Sequence, residues 1–100
     1  MKPKFLLPLI AALLATSPAL ASSDAAWAAL DKASAKACLH ASGFLNAKVS
    51  PPTRFSDGIG YDVRLVSGTY PQAHMKGAQG QMQCLFQRRT GNVEVQELAQ

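Results

Sequence analysis

The sequence predicts an α+β domain: one N-terminal helix packed on a three- to four-stranded antiparallel sheet, with one helix–sheet disulfide. Three observations predict it. Residues 23–42 carry an alanine-rich pattern of helical period that stops at Gly43. Residues 45–97 carry short alternating runs separated by turn residues. The chain has 2 cysteines, Cys38 in the first region and Cys84 in the second.

The element before the helix is "MKPKFLLPLIAALLATSPALA". Lys2 and Lys4 give a positive start, Phe5 to Ala15 is apolar and uncharged, and Ala19 and Ala21 form an Ala-x-Ala ending. That is the layout of a secretory signal peptide over 1–21, with cleavage after Ala21. The apolar run is shorter than the roughly 20 residues a spanning helix needs, so no membrane anchor is expected after cleavage. The remaining 22–100 is one small domain of about 79 residues. Lys2 and Lys4 leave with the signal, which takes the 10 basic residues to 8 against 6 acidic ones. A mildly basic chain with dispersed charges does not point to nucleic acid, whose binders gather basic residues into a patch. Export leads to the periplasm or the exterior, where disulfides persist.

The helix begins at Ser23 or Asp24, either of which can cap it. Trp27, Leu30, Ser34, Ala37, Cys38 and Ala41 share one face, while Lys32, Lys36 and His40 share another and point to water. Gly43 ends it in a left-handed turn, and Phe44 against Leu39 completes a Schellman closure. "AKVSPPTRF" is an edge strand or a kinked strand, because Pro51 and Pro52 lack amide donors. "SDG" at 56–58 turns the chain. In "IGYDVRLVSGTY", Ile59, Tyr61, Val63 and Leu65 share one face and Asp62 and Arg64 the other, which is read as the solvated one. Residues 71–80 form a loop. "QMQCLFQ" is a strand with Met82, Cys84 and Phe86 on one side. Gly91 lies in the turn "RRTGN", and "VEVQEL" closes the hairpin with Val93 and Val95 inside.

The disulfide follows from this layout. Cys38 lies on the apolar helix face and Cys84 on the apolar strand face, and two cysteines allow one intramolecular pairing. Closing a loop of about 45 residues stabilises by about 4 kcal/mol on the chain-entropy account. The chain has no Cys-x-x-Cys motif of the kind redox-active dithiols use.

The pieces "ASGFLNAKV", "YDVRLVSG" and "RRTGNVEVQE" together resemble the small PepSY-type domains of exported bacterial proteins. Thr90, Gly91 and Val93 fit the closing motif of that family; Gln87 stands where the family has Asp. The cysteines and the 70–80 loop are additions to the pattern. The resemblance implies a binding or inhibitory module of the cell envelope, acting on a peptidase and bringing no catalytic residues.

No catalytic constellation is legible. No serine lies in a Gly-x-Ser-x-Gly elbow, and no glycine-rich phosphate loop is present. Asp57 and Asp62 are read as solvated carboxylates, so the protein is expected not to be an enzyme and to use no cofactor. His74 and Met75 offer imidazole and thioether, both copper ligands, but two ligands do not make a site, and no metal is expected. The loop at 70–80 is long for a connection between strands, and Tyr70, His74, Met75 and Lys76 form the candidate binding surface. Arg88 and Arg89 form a candidate basic tip at the other turn. Three readings stand: a module that binds a protein partner in the cell envelope, a metal- or small-molecule-binding protein using the loop, and a self-assembling protein that forms a homodimer through an edge strand.

Overall fold

The structure, a computed structural model, describes residues 23–99. The segment expected to be a signal peptide, 1–21, lies outside the described residues. Helix α1 spans Asp24–Ser42. Alanine loses no side-chain entropy in a helix, which favours this segment locally. The Ser23 side chain caps the start by accepting the Ala26 amide at 3.1 Å. Gly43, at φ 69°, takes the left-handed conformation that other residues resist. The expected Schellman closure takes a variant form. The Phe44 amide donates to Ser42 Oγ at 3.2 Å, and that hydroxyl donates to the Leu39 carbonyl at 2.8 Å. The serine thus relays a bond that the standard motif makes directly.

Five strands follow: β1 (Leu45–Val49), β2 (Thr53–Arg54), β3 (Tyr61–Thr69), β4 (Gln79–Gln87) and β5 (Val93–Glu97). The sheet order is β1-β3-β4-β5, with β2 also paired to β3, and every pairing is antiparallel. The fold is the helix-on-sheet layout the sequence predicts. The strand count rises to five because the segment broken by Pro51 and Pro52 contributes two short strands to one edge of β3. At the break, Ser50 substitutes for a strand residue: its amide donates to the Leu65 carbonyl at 2.8 Å and its hydroxyl accepts the Leu65 amide at 2.8 Å. The loop after β3 is shorter than expected. The Tyr70 amide donates to the Ala78 carbonyl at 2.9 Å, and Ala73–Met75 forms a 3₁₀ turn between them.

Helix α1 covers one face of the sheet. Cys38, Phe44, Val66, Cys84 and Phe86 are the buried apolar residues between the layers. Cys38 and Cys84 are bonded, with Cα atoms 5.9 Å apart. The helix can come this close because its packing face is built from small side chains. Gly68 and Gly80 lie opposite each other across β3 and β4. A Cβ on Gly68 would lie 2.6 Å from Phe44 Cβ, and one on Gly80 would lie 2.4 Å from the Tyr70 ring. The two bare backbones therefore make room for the Phe44 and Tyr70 rings, which meet edge to face at 5.1 Å.

One expectation is reversed. Alternation along β3 correctly separates two rows, but the row facing the helix is Asp62, Arg64, Val66 and Gly68. Asp62 is fully buried and Arg64 is 4% exposed. The apolar row, Tyr61, Val63 and Leu65, lies on the face the helix does not cover. The reason is electrostatic compensation: the inward charges meet partners that offset their loss of water.

Candidate functional site

Asp62 gathers those partners. Its carboxylate accepts Arg54 Nε from the paired residue on β2, at 3.3 and 3.4 Å to its two oxygens. It also accepts Arg88 from the turn after β4. Arg54 continues to the Asp31 carboxylate on α1 and lies over the Trp27 ring, 4.5 Å from its centroid. Burial opposes the Arg54 charge, but the bond to Asp62 and the charges of Asp62 and Asp31 outweigh it and raise its pKa above the ordinary guanidinium value. Arg64 uses a different set. Its nitrogens donate to Ser34 Oγ at 3.0 Å, the Asp31 carbonyl at 3.0 Å and the Ser50 carbonyl at 2.8 Å. Three arginines and two aspartates thus hold α1, the β1–β2 link and the last hairpin at one end of the domain. Asp62 is occupied by two guanidiniums, an arrangement that clamps their elements together.

This cluster corrects two expectations. Asp62 is not solvated, whereas Asp57 is, with its side chain 97% exposed. Arg88 does not project from a basic tip: its side chain folds back to Asp62, to the Asp57 carboxylate at 3.2 Å and to the Phe55 carbonyl at 2.8 Å. Arg89 alone of the pair is exposed. A signal for the cluster was present in the helix. Asp31 and Ser34 share the packing face with Cys38, and polar groups on that face require polar partners on the sheet.

The candidate loop is drawn together only in part. Tyr70, Gln72, His74, Met75 and Glu97 line a cleft of about 300 Å³. Tyr70 Oη donates to Glu97 Oε1 at 2.8 Å. That bond, with burial and the Glu97 charge, raises the Tyr70 pKa above the usual phenol value. Lys76 does not line the cleft; it ends the 3₁₀ turn at φ 52°. Tyr70 packs against Phe44 and over Gly80, so it belongs to the domain's architecture as much as to any surface. Among the described residues no group of three or more His, Cys, Asp and Glu could hold a metal ion.

The other face of the sheet is less polar than an uncovered sheet face usually is. Register places Thr53, Val63, Leu85 and Glu94 in one row across it, and Leu65, Gln83 and Gln96 in the next. The Phe55 amide donates to the Tyr61 carbonyl at 3.0 Å, which extends the β2 ladder and sets Phe55 beside Tyr61. Leu65 is 39% and Leu85 37% exposed, and Phe55 and Ile59 are more exposed still. Around this apolar centre stand Gln81, Gln83, Gln87 and Gln96, which are polar but uncharged. A shallow depression of about 220 Å³ lies at its border, lined by residues that include Tyr61, Leu85 and Glu94. An antiparallel sheet with one wet face normally turns polar side chains to the water. Here β3 does the opposite.

Comparison with protein-family models, curated proteins and solved structures finds no match to this chain.

Proposed function

We propose that the protein is an exported binding module of the cell envelope, without catalytic activity, that docks a partner protein on the open face of its sheet. The observation that carries this reading is the inverted β3. Tyr61, Val63 and Leu65 stand on the uncovered face while Asp62 and Arg64 are buried beneath the helix. Keeping two charges inside and an aliphatic row outside has a cost that a partner covering the row would offset. The rim of glutamines beside Glu94 carries no cluster of positive charge, which a nucleic-acid surface would require, and fits a protein partner better. The Cys38–Cys84 bond is consistent with an oxidising compartment. The resemblance to PepSY-type domains agrees with an inhibitory role against an envelope enzyme.

The test is cross-linking in the envelope fraction with the wild-type protein and with Leu65→Glu/Leu85→Glu. Both leucines are exposed enough for the variant to fold. A partner cross-linked reproducibly by the wild type and lost with the variant supports the reading. No reproducible partner, or one captured equally by both proteins, overturns it.

A further inference from the structure

A second surface is the backbone edge of β5, which borders the open face. Strand β5 ends the sheet on the side away from β1, and among the described residues no strand lies beyond it. Its ladder to β4 is regular, from Phe86↔Val93 to Met82↔Glu97, with no bulge. The Gln87 amide donates to the Asn92 carbonyl and the Leu98 amide to the Gln81 carbonyl. Even-numbered residues therefore exchange bonds with β4, and alternation turns the N–H and C=O groups of Val93, Val95 and Glu97 outward. The opposite edge is guarded. There β1 has a register break between Leu45 and Lys48, Asn46 sits at φ 52°, and Pro51 and Pro52 follow. Bulges and prolines are the usual means of blunting an edge. β5 has neither, and no lysine.

We propose that β5 pairs antiparallel with β5 of a second copy about a twofold axis at Val95, joining the two sheets into one. The side chains select both the partner and the register. Only the outward residues can exchange bonds, so the axis passes through a residue rather than between two. An axis at Glu94 would oppose the two Glu94 carboxylates, and like charges directly opposite are unfavourable. An axis at Gln96 would set Glu94 against the apolar Leu98. An axis at Val95 sets Glu94 against Gln96 of the second copy, where the amide can donate to the carboxylate. It sets Val93 against Glu97, and Val95 against itself. No carboxylate faces another. The strand is thus complementary to its own reverse, which favours a second copy over an unrelated extended peptide. A groove of about 520 Å³ beside β5, lined by Met82 and by Glu94 to Glu97, leaves space for an incoming strand.

The test is analytical ultracentrifugation of the purified protein over a wide concentration range, with circular dichroism to verify folding. The expected result is a reversible dimer. Gln96→Lys creates two opposite-charge pairs with Glu94 and should tighten it about tenfold, while Gln96→Glu creates two like-charge pairs and should loosen it about tenfold. Val95→Pro removes an outward donor at the axis and should leave a folded monomer. A wild-type protein that stays monomeric throughout overturns the proposal. So do Lys and Glu variants that shift in the same direction or not at all, or a dimer that survives Val95→Pro.

Discussion

Asp62 has the largest electrostatic consequence of any single side chain here. It is fully buried, and Arg88, with its side chain 10% exposed, depends on it. Removing one member of a buried ion pair leaves the other charge uncompensated, which typically costs about 3–5 kcal/mol. Asp62→Ala should therefore lose about that much in urea unfolding followed by the fluorescence of Trp27, the protein's 1 tryptophan. Arg54→Ala should lose clearly less, because its side chain is 33% exposed and water can take over its role. Equal losses would mean that the two arginines share the Asp62 charge in a way their burial does not indicate. Tyr70 gives a second expectation at this scale. Its pKa is raised in the fold, so folding favours the neutral phenol. The stabilisation is fully present below the phenol's unfolded pKa near 10 and is lost as pH rises through the higher folded value. The wild type should thus lose stability in alkali relative to Tyr70→Phe, with the gap between them narrowing as pH rises. A gap independent of pH would disconnect Tyr70 ionisation from folding.

Between elements, the disulfide holds the helix on the sheet, and the paired glycines make room for the Phe44 and Tyr70 rings. Replacing both cysteines by serine should lower stability by about 2–5 kcal/mol, the usual loss for a small domain deprived of a native disulfide. Gly68→Ala should lose about 1–3 kcal/mol, because its new methyl meets Phe44 Cβ at 2.6 Å and the Leu45 carbonyl oxygen at 3.0 Å. Thermal and urea unfolding measure both; an unchanged Gly68→Ala protein would mean that β1 gives way freely. Much of this level was legible in the sequence. The helix showed itself by its period and its Gly43 stop, and Cys38 and Cys84 by their positions on facing rows. The two-residue β2 was not, because so short a strand is defined by its pairing rather than by its pattern. The direction of β3 was misread for a physical reason. Period-2 alternation divides a strand into two rows, and hydrophobicity is then used to choose the inner one. That choice fails where ion pairs make a charged row tolerable inside: Arg88 lies 26 residues from Asp62, and Arg54, only 8 away, reaches it from a strand of 2 residues that shows no pattern of its own. Of the candidate loop, Tyr70, His74 and Met75 do share a cleft; Arg88 proved to be an internal strut because nothing in "RRTGN" tells which arginine turns inward.

On the scale of the whole molecule, the question is what a domain gains from wearing its aliphatic residues outside. The helix can cover only one face of the sheet, and its small side chains leave little volume there for leucine. The side of β3 that meets the helix therefore carries Gly68 and a single large aliphatic residue, Val66, while the arginines reach across the gap with long polar side chains. Leu65, Leu85 and Phe55 then have no layer of their own to enter. A surface of this kind should bind an environment-sensitive apolar dye in the native state, well below any unfolding transition. Leu65→Gln/Leu85→Gln should cut that binding by about half or more. Because both side chains are already part-exposed, the same variant should stay within about 0.5 kcal/mol of the wild type in unfolding. The two readings separate a docking surface from a misplaced core. A large loss of stability would mean that the leucines act in folding, and the open face would then lose its claim to a partner; dye binding that ignores the substitutions would move the exposed apolar surface elsewhere, most directly to the Ile59 turn, where exposure reaches 60%.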